Sequence, residues 1–213
     1  MEERIDSLVA RGEIYKLLSL AYGQPEQVLQ VEDFIMVARQ ALNTIEKDIF
    51  SRELKELETF FNYNNNSVNL AIEYTRLFRG PVKADVYTYE SMYVDGEIMG
   101  KSTMDVLQRY AEAGVQVSRE FKDLPDHICT EMEFMGFLCA QGLAAWQQNN
   151  QDEAKRFQLI GDSFVIDHLS KWVSRFSDLI LEHANTPYYL NLARITRGFI
   201  AREASTICAQ TIA

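Results

Sequence analysis

The sequence predicts an all-α protein, a single-domain helical bundle of about eight to ten helices with a long ordered mid-chain loop. Three observations carry this reading. Apolar residues recur every three or four positions through most of the 213 residues. Proline occurs only four times, at Pro25, Pro81, Pro125 and Pro187, where it marks seams between helical stretches. One stretch, 80–100, lacks helical period, and it joins helical halves of about 1–79 and 101–213 within one domain spanning 1–213.

The elements follow in order. Ile5, Leu8, Val9, Tyr15, Leu18, Ala21 and Tyr22 share one side of a first helix ending at Gly23. Helical spacing returns from about Glu26 to Leu42, from about Lys47 to Phe61 and from Ser67 to Phe78, with Asn64, Asn65 and Asn66 as a polar break. Between Gly80 and Gly100, Val86, Tyr87, Tyr89, Met92, Tyr93 and Val94 show no helical spacing, which predicts an ordered connecting loop, or a short hairpin turning at Asp95-Gly96. After Pro125, Ile128, Met132, Met135, Leu138, Cys139, Leu143 and Trp146 form the apolar stripe of a long core-facing helix. Another helix is expected from Asp152 to about His183, and a last one from Tyr188 to Ile207.

Acidic side chains number 31 against 21 basic ones, a formal net charge of −10 that repels nucleic acid and anionic lipid and suits a cationic client. Cys129, Cys139 and Cys208 are odd in number and form no C-x-x-C pair, so a disulfide framework and a thiolate metal site are not expected. The amino end, Met-Glu-Glu-Arg-Ile-Asp, is charged and no long apolar run follows. Neither a signal peptide nor a membrane span is therefore expected, and the expected location is the cytoplasm.

Catalytic patterns are missing. No glutamate has a histidine three residues on, as a di-iron bundle requires, and the three histidines do not form the H-E-x-x-H of zinc proteases. Asp95-Gly96-Glu97-Ile98-Met99-Gly100-Lys101-Ser102 approximates a phosphate-binding loop, but Asp95 stands where the first glycine belongs and sets a carboxylate against the anion. The plainer reading is a loop that ends in a helix cap at Ser102 or Thr103.

Three clusters stand out. In the first, a helix carrying Leu77 and Phe78 stops at Gly80-Pro81, and the aromatic loop through Tyr89, Ser91 and Tyr93 follows; it could cover an apolar groove or complete the core. In the second, Asp126 and His127 open a helix, with Asp126 expected to cap it, and Glu131 lies one turn beyond His127, where the two side chains can meet and bias the imidazole toward a protonated or hydrogen-bonded state. In the third, Phe164, His168, Leu169, Trp172 and Phe176 make a core seam in which His168 is expected to be buried and hydrogen-bonded.

Taken together, E-Y-T-R-L-F-R-G-P at 73–81, Y-E-S-M-Y at 89–93, L-P-D-H-I-C-T-E-M-E-F-M at 124–135 and F-V-I-D-H-L-S-K-W at 164–172 resemble the TorD/DmsD/NarJ family of redox-enzyme maturation chaperones. The resemblance implies an all-helical, non-enzymatic protein that binds the amino-terminal leader, often a twin-arginine signal peptide, of a molybdenum-cofactor oxidoreductase subunit until its cofactor is inserted. It places the peptide-binding region on Leu77, Phe78, Pro81, Tyr89, Ser91, Tyr93, Asp126 and His127, with Glu131 in support. One branch of the family carries a proline-tryptophan pair ahead of the serine, where this chain has Thr88-Tyr89-Glu90. A twin-arginine leader joins two guanidinium groups to an apolar stretch, so carboxylates at Asp126, Glu131 and Glu90 beside Leu77, Phe78, Tyr89 and Tyr93 suit it. The expected partners are the catalytic subunit of a molybdoenzyme and the twin-arginine translocase, with no metal or cofactor, and the chain is read as a monomer or a domain-swapped dimer. The alternatives are a guanine-nucleotide-binding protein using 95–102 and a structural interaction subunit.

Overall fold

The computed structural model describes residues 2–25, 28, 33–62, 66–80, 84–116 and 123–212. Among the described residues the regular elements are all helical, and extended pairing is confined to an isolated bridge between Tyr89 and His127. The helices are α1 (Glu2–Tyr22), α2 (Phe34–Ile45), α3 (Ser51–Asn62), α4 (Asn66–Tyr74), α5 (Glu90–Val94), α6 (Lys101–Glu112), α7 (Ile128–Gln147), α8 (Gln151–Phe164), α9 (Ser170–His183) and α10 (Pro187–Ile212). Two wider π turns interrupt them: Thr75–Arg79 extends α4, and Val165–Leu169 joins α8 to α9.

The first helix is central because its apolar residues leave little of it for solvent: Ile14, Tyr15, Leu17, Leu18, Ala21 and Tyr22 are all buried. It packs on α7 and α2. Glycines set the crossing with α7, since a Cβ on Gly12 would stand 3.1 Å from the Cβ of Cys139, and one on Gly136 would stand 3.6 Å from the Gly12 carbonyl. A glycine inside a helix costs about 1 kcal/mol relative to alanine, and close approach of the two backbones offsets it here. Around this pair, α7 packs on α8, α9 on α10 and α10 on α3, while short α5 is held against α6 and α9.

Aromatic rings knit the two halves together. Phe176 lies 5.2 Å from Tyr22, 5.3 Å from Trp172 and 6.4 Å from Phe78, ring centre to ring centre. Full burial of such side chains contributes about 2–3 kcal/mol each. A part-buried ion pair adds a polar tie between α1 and α10: Arg11 Nε donates to Glu203 Oε2 at 2.7 Å, and the Tyr15 hydroxyl donates to the same oxygen at 3.0 Å. Burial works against the Arg11 charge, but Glu203 and Tyr15 outweigh it and hold the guanidinium protonated.

Several boundaries differ from the sequence reading. In the stretch expected to be helical from Glu26 to Leu42, Pro25 and Val28 are helical and 26–27 and 29–32 lie outside the described residues; Asp33, in a left-handed conformation (φ 61°), breaks the run before α2 starts at Phe34. Likewise α3 starts at Ser51 rather than near Lys47, after Asp48 and Phe50 with φ of 60° and 54°. The stretch from 66 is α-helical only to Tyr74; its π turn ends at Gly80, whose φ of 36° favours glycine and whose amide donates to Thr75 O at 2.8 Å. Within the mid-chain loop, the helix α5 forms where an irregular loop or hairpin was expected, and Asp95-Gly96 closes that helix, both amides donating to Ser91 O. The long helices after Pro125 and Asn150 agree with their apolar stripes. Among the described residues, no helix is long and apolar enough to cross a membrane.

Candidate functional site

Two helices begin at one backbone pairing. Tyr89 and His127 are bridged antiparallel, with Glu90 N donating to Asp126 O at 3.0 Å and Ile128 N to Thr88 O at 2.8 Å. Their side chains then satisfy the free amides of the two first turns. Asp126 Oδ2 accepts from Ser91 N at 3.0 Å and so caps α5, a helix distant in sequence, rather than the helix it precedes. His127 takes the latter task, its Nδ1 accepting from Cys129 N at 3.1 Å.

Behind the bridge lies a cluster of buried acids. Glu90, Asp126 and Glu131 are at most 1% exposed, which places three carboxyl groups in the protein interior. Glu90 accepts from His168 Nδ1 on both oxygens, at 3.1 and 3.0 Å, and Glu131 Oε2 accepts from Trp172 Nε1 at 3.1 Å. Glu131 Oε1, Asp126 Oδ1 and Ser91 Oγ have no hydrogen-bond partner among the described residues. Burial, reinforced by the adjoining Glu90 carboxyl, pushes the Glu131 carboxyl well above the usual carboxylate range. Glu131 does not meet His127 as the one-turn spacing suggests, because Trp172 and Glu90 hold it on the inner side. The imidazole is accordingly shifted the other way: burial lowers the His127 pKa, against the attraction of Asp123, whose Oδ2 lies 3.9 Å from Nε2.

The outer edge is aromatic. Tyr89 packs edge-on against His127 with centroids 5.3 Å apart and donates its hydroxyl to Asp123 Oδ1 at 2.8 Å; burial and that carboxylate push the phenol up to about 12. Tyr93 donates to Tyr87 O at 2.7 Å and lays its ring 5.4 Å from Trp172. Both are partly exposed. Leu77 and Phe78 are core residues in this structure, and Phe78 reaches the seam only through Phe176, which both it and Tyr93 contact. Pro81 lies outside the described residues. The structure thus gathers Tyr89, Ser91, Tyr93, Asp126, His127 and Glu131 at one seam, with Leu77 and Phe78 behind it. His168 is buried and hydrogen-bonded as its sequence context suggests, but its partner Glu90 and the role of Trp172 are long-range facts that spacing does not carry.

An apolar groove of about 760 Å³ runs between α1 and α7, walled by Leu8, Val9, Leu20, Phe137 and Leu143, with Glu13, Lys16 and Glu133 as its charged lining. Cys129, two residues past His127, lines it too, and Ser19 Oγ donates to the Cys129 carbonyl at 2.9 Å. The loop that approximates a phosphate-binding motif is organised by its own carboxylate: Asp95 Oδ2 accepts from Ser102 N at 2.9 Å and from Ser102 Oγ at 2.5 Å. Asp95 thereby caps α6, and Gly100 is needed because a Cβ there would fall 2.7 Å from that of Asp95. Among the described residues, no group of three or more His, Cys, Asp or Glu side chains is placed to hold a metal ion.

The fold is that of helical maturation proteins: a solved structure described as a redox enzyme maturation protein from Archaeoglobus fulgidus superposes with a TM-score of 0.55 at 21% identity, covering 89% of this chain and 93% of that one. The chain belongs to the nitrate reductase delta subunit family, whose pattern matches residues 47–178. It is similar to the chaperone protein TorD of Aliivibrio fischeri, 24% identical over 198 residues that cover 89% of this chain and 91% of that protein. Similarity to the TorD chaperone of Photobacterium profundum is 27% over 91% of this chain and 80% of that protein. The Tat proofreading chaperone DmsD of Salmonella typhimurium is 31% identical over 60% of this chain and 56% of its own length. These relatives are chaperones, and the chain is a chaperone of this family rather than an enzyme.

Proposed function

We propose that this chaperone acts in the cytoplasm on a molybdenum-cofactor oxidoreductase subunit, binding its twin-arginine leader at the seam between α5 and the start of α7 until the client is mature. The observation that carries the reading is the set of seam carboxylates, Glu90, Asp126 and Glu131, which among the described residues pair with no lysine or arginine. Guanidinium groups match such acceptors, and the partly exposed rings of Tyr89 and Tyr93 flank the way in. The adjoining α1–α7 groove suits the apolar part of a leader, and the net charge of −10 favours a cationic one. Relatives named for Tat proofreading and for chlorate reductase assembly support the choice of client class.

Nucleotide is not part of this reading, because the Asp95 carboxylate already fills the amide-lined start of α6. Calorimetry of the full chain with a synthetic leader, two adjacent arginines followed by an apolar run, tests the proposal. Binding is expected, with a loss of about tenfold or more when both arginines become glutamine, from about 1.5–3 kcal/mol per charge-assisted contact. Equal affinity for the two peptides, or binding of magnesium GTP in place of either, would overturn it.

A further inference from the structure

Around Glu131 stand Glu90 of α5, Asp126 of the preceding turn and Trp172 of α9, with Tyr110 of α6 close by and His168 of the second π turn behind Glu90. No lysine or arginine is among them. Glu131 Oε2 is committed to Trp172, and both oxygens of Glu90 are committed to His168 Nδ1. What remains is Glu131 Oε1 beside the Glu90 carboxyl, two acceptors with no donor between them. A hydrogen on Glu131 resolves this contact, since a protonated carboxyl donates where a carboxylate only accepts.

We propose that Glu131 stores a proton which the arginine of a bound leader displaces, so that leader binding exchanges a guanidinium for a proton. The inference rests on the leader reading above. In the free protein the carboxyl is neutral and donates to Glu90; on binding, the O–H bond breaks, Glu131 becomes a carboxylate paired with the guanidinium, and the proton passes to the buffer. Burial and Glu90 favour the neutral acid in the free state, and a cation placed beside it favours the charged form. Further acceptors stand ready, because Asp126 Oδ1 and Ser91 Oγ, both in fully buried residues, also lack partners, and a guanidinium carries five N–H donors. Entry requires the five-residue helix α5 to move off the start of α7, to which two backbone hydrogen bonds and the Ser91 N–Asp126 Oδ2 bond hold it, and off His168, which holds Glu90.

The test is calorimetry of the intact chain with the same two-arginine peptide at pH 7, in phosphate and in Tris, whose ionisation enthalpies differ. The expected result is a heat that depends on the buffer in the sense of proton release on binding, and an affinity that rises with pH. In Glu131→Gln, which lacks the carboxylate that pairs with the guanidinium, the peptide should bind more weakly and the buffer dependence should vanish. Infrared spectra of the free protein at pH 7 should show a protonated-carboxyl stretch that is absent from Glu131→Gln. Peptide binding with the same heat in both buffers overturns the exchange and spares the leader reading. Absence of binding overturns the leader reading and the exchange with it, while absence of the infrared band from the free wild-type protein shows that the stored proton does not exist.

Discussion

Two buried acids in this bundle are treated in opposite ways. Glu203 of α10 sits against α1 with a cation supplied from within the chain, Arg11, and a phenol, Tyr15, on the same oxygen. Glu131 of α7 sits deeper, receives one indole N–H from Trp172, and adjoins another acid instead of a base. A carboxylate that serves only to tie helices together needs its counter-charge beside it, because an uncompensated buried charge costs several kcal/mol. Among the described residues the seam has no such counter-charge, and burial with Glu90 alongside favours the neutral acid at Glu131 instead.

The comparison can be broken most forcefully at the finished pair. Arg11→Met should strand Glu203 and lower stability by about 3 kcal/mol, read from the midpoint of urea unfolding. In the seam, Trp172→Phe keeps the ring but removes the donor to Glu131, and an unfolding free energy lower by about 2 kcal/mol is expected. Glu131→Gln sharpens the contrast through pH. The folded state retains the Glu131 proton well above 4.5, where the unfolded chain has lost it, so folded chains bind more protons and this residue's contribution to stability falls as pH rises. Wild-type stability relative to Glu131→Gln should therefore fall as pH rises above 4.5, read from urea midpoints across a pH series. His127→Ala removes the cap of α7 at a cost of about 1 kcal/mol. Burial lowers the imidazole pKa below 6.5, so the part of stability that depends on neutral His127 is present above 6.5 and lost as pH falls through the folded value. Smallest of all, Asp95→Ala should cost about 0.5–1 kcal/mol by uncapping α6, visible as a small decrease in Tm.

The helices were legible because burial imposes a period: the stripe from Ile128 to Trp146 marks α7 without help from any other part of the chain. Short α5 was not, since five residues hold too little pattern and the group that caps it, Asp126, is 35 positions away. The second π turn left a trace that helical spacing alone passes over. Phe164, His168, Trp172, Phe176 and Ile180 are all buried at strict four-residue steps, whereas an α-helix of 3.6 residues per turn drifts by about 40° at each such step. An inserted residue within Val165–Leu169 takes up that drift and keeps His168 and Trp172 on the side facing the seam. Of the candidate set that the resemblance implied, Tyr89, Ser91, Tyr93, Asp126, His127 and Glu131 stand together at the seam, whereas Leu77 and Phe78 belong to the core. The roles of the seam residues did not follow from the motifs, because Glu131 could be assigned to His127 by spacing until the indole of a distant helix claimed it.

The Tyr89–His127 pairing has one more consequence. Because the same two backbone bonds start both α5 and α7, neither helix can fray at its first turn without releasing the other. The amides of Glu90 and Ile128 should therefore trade hydrogen for deuterium at one common opening rate. A mismatch between those two rates in the free chain would mean that the helix starts come undone one at a time.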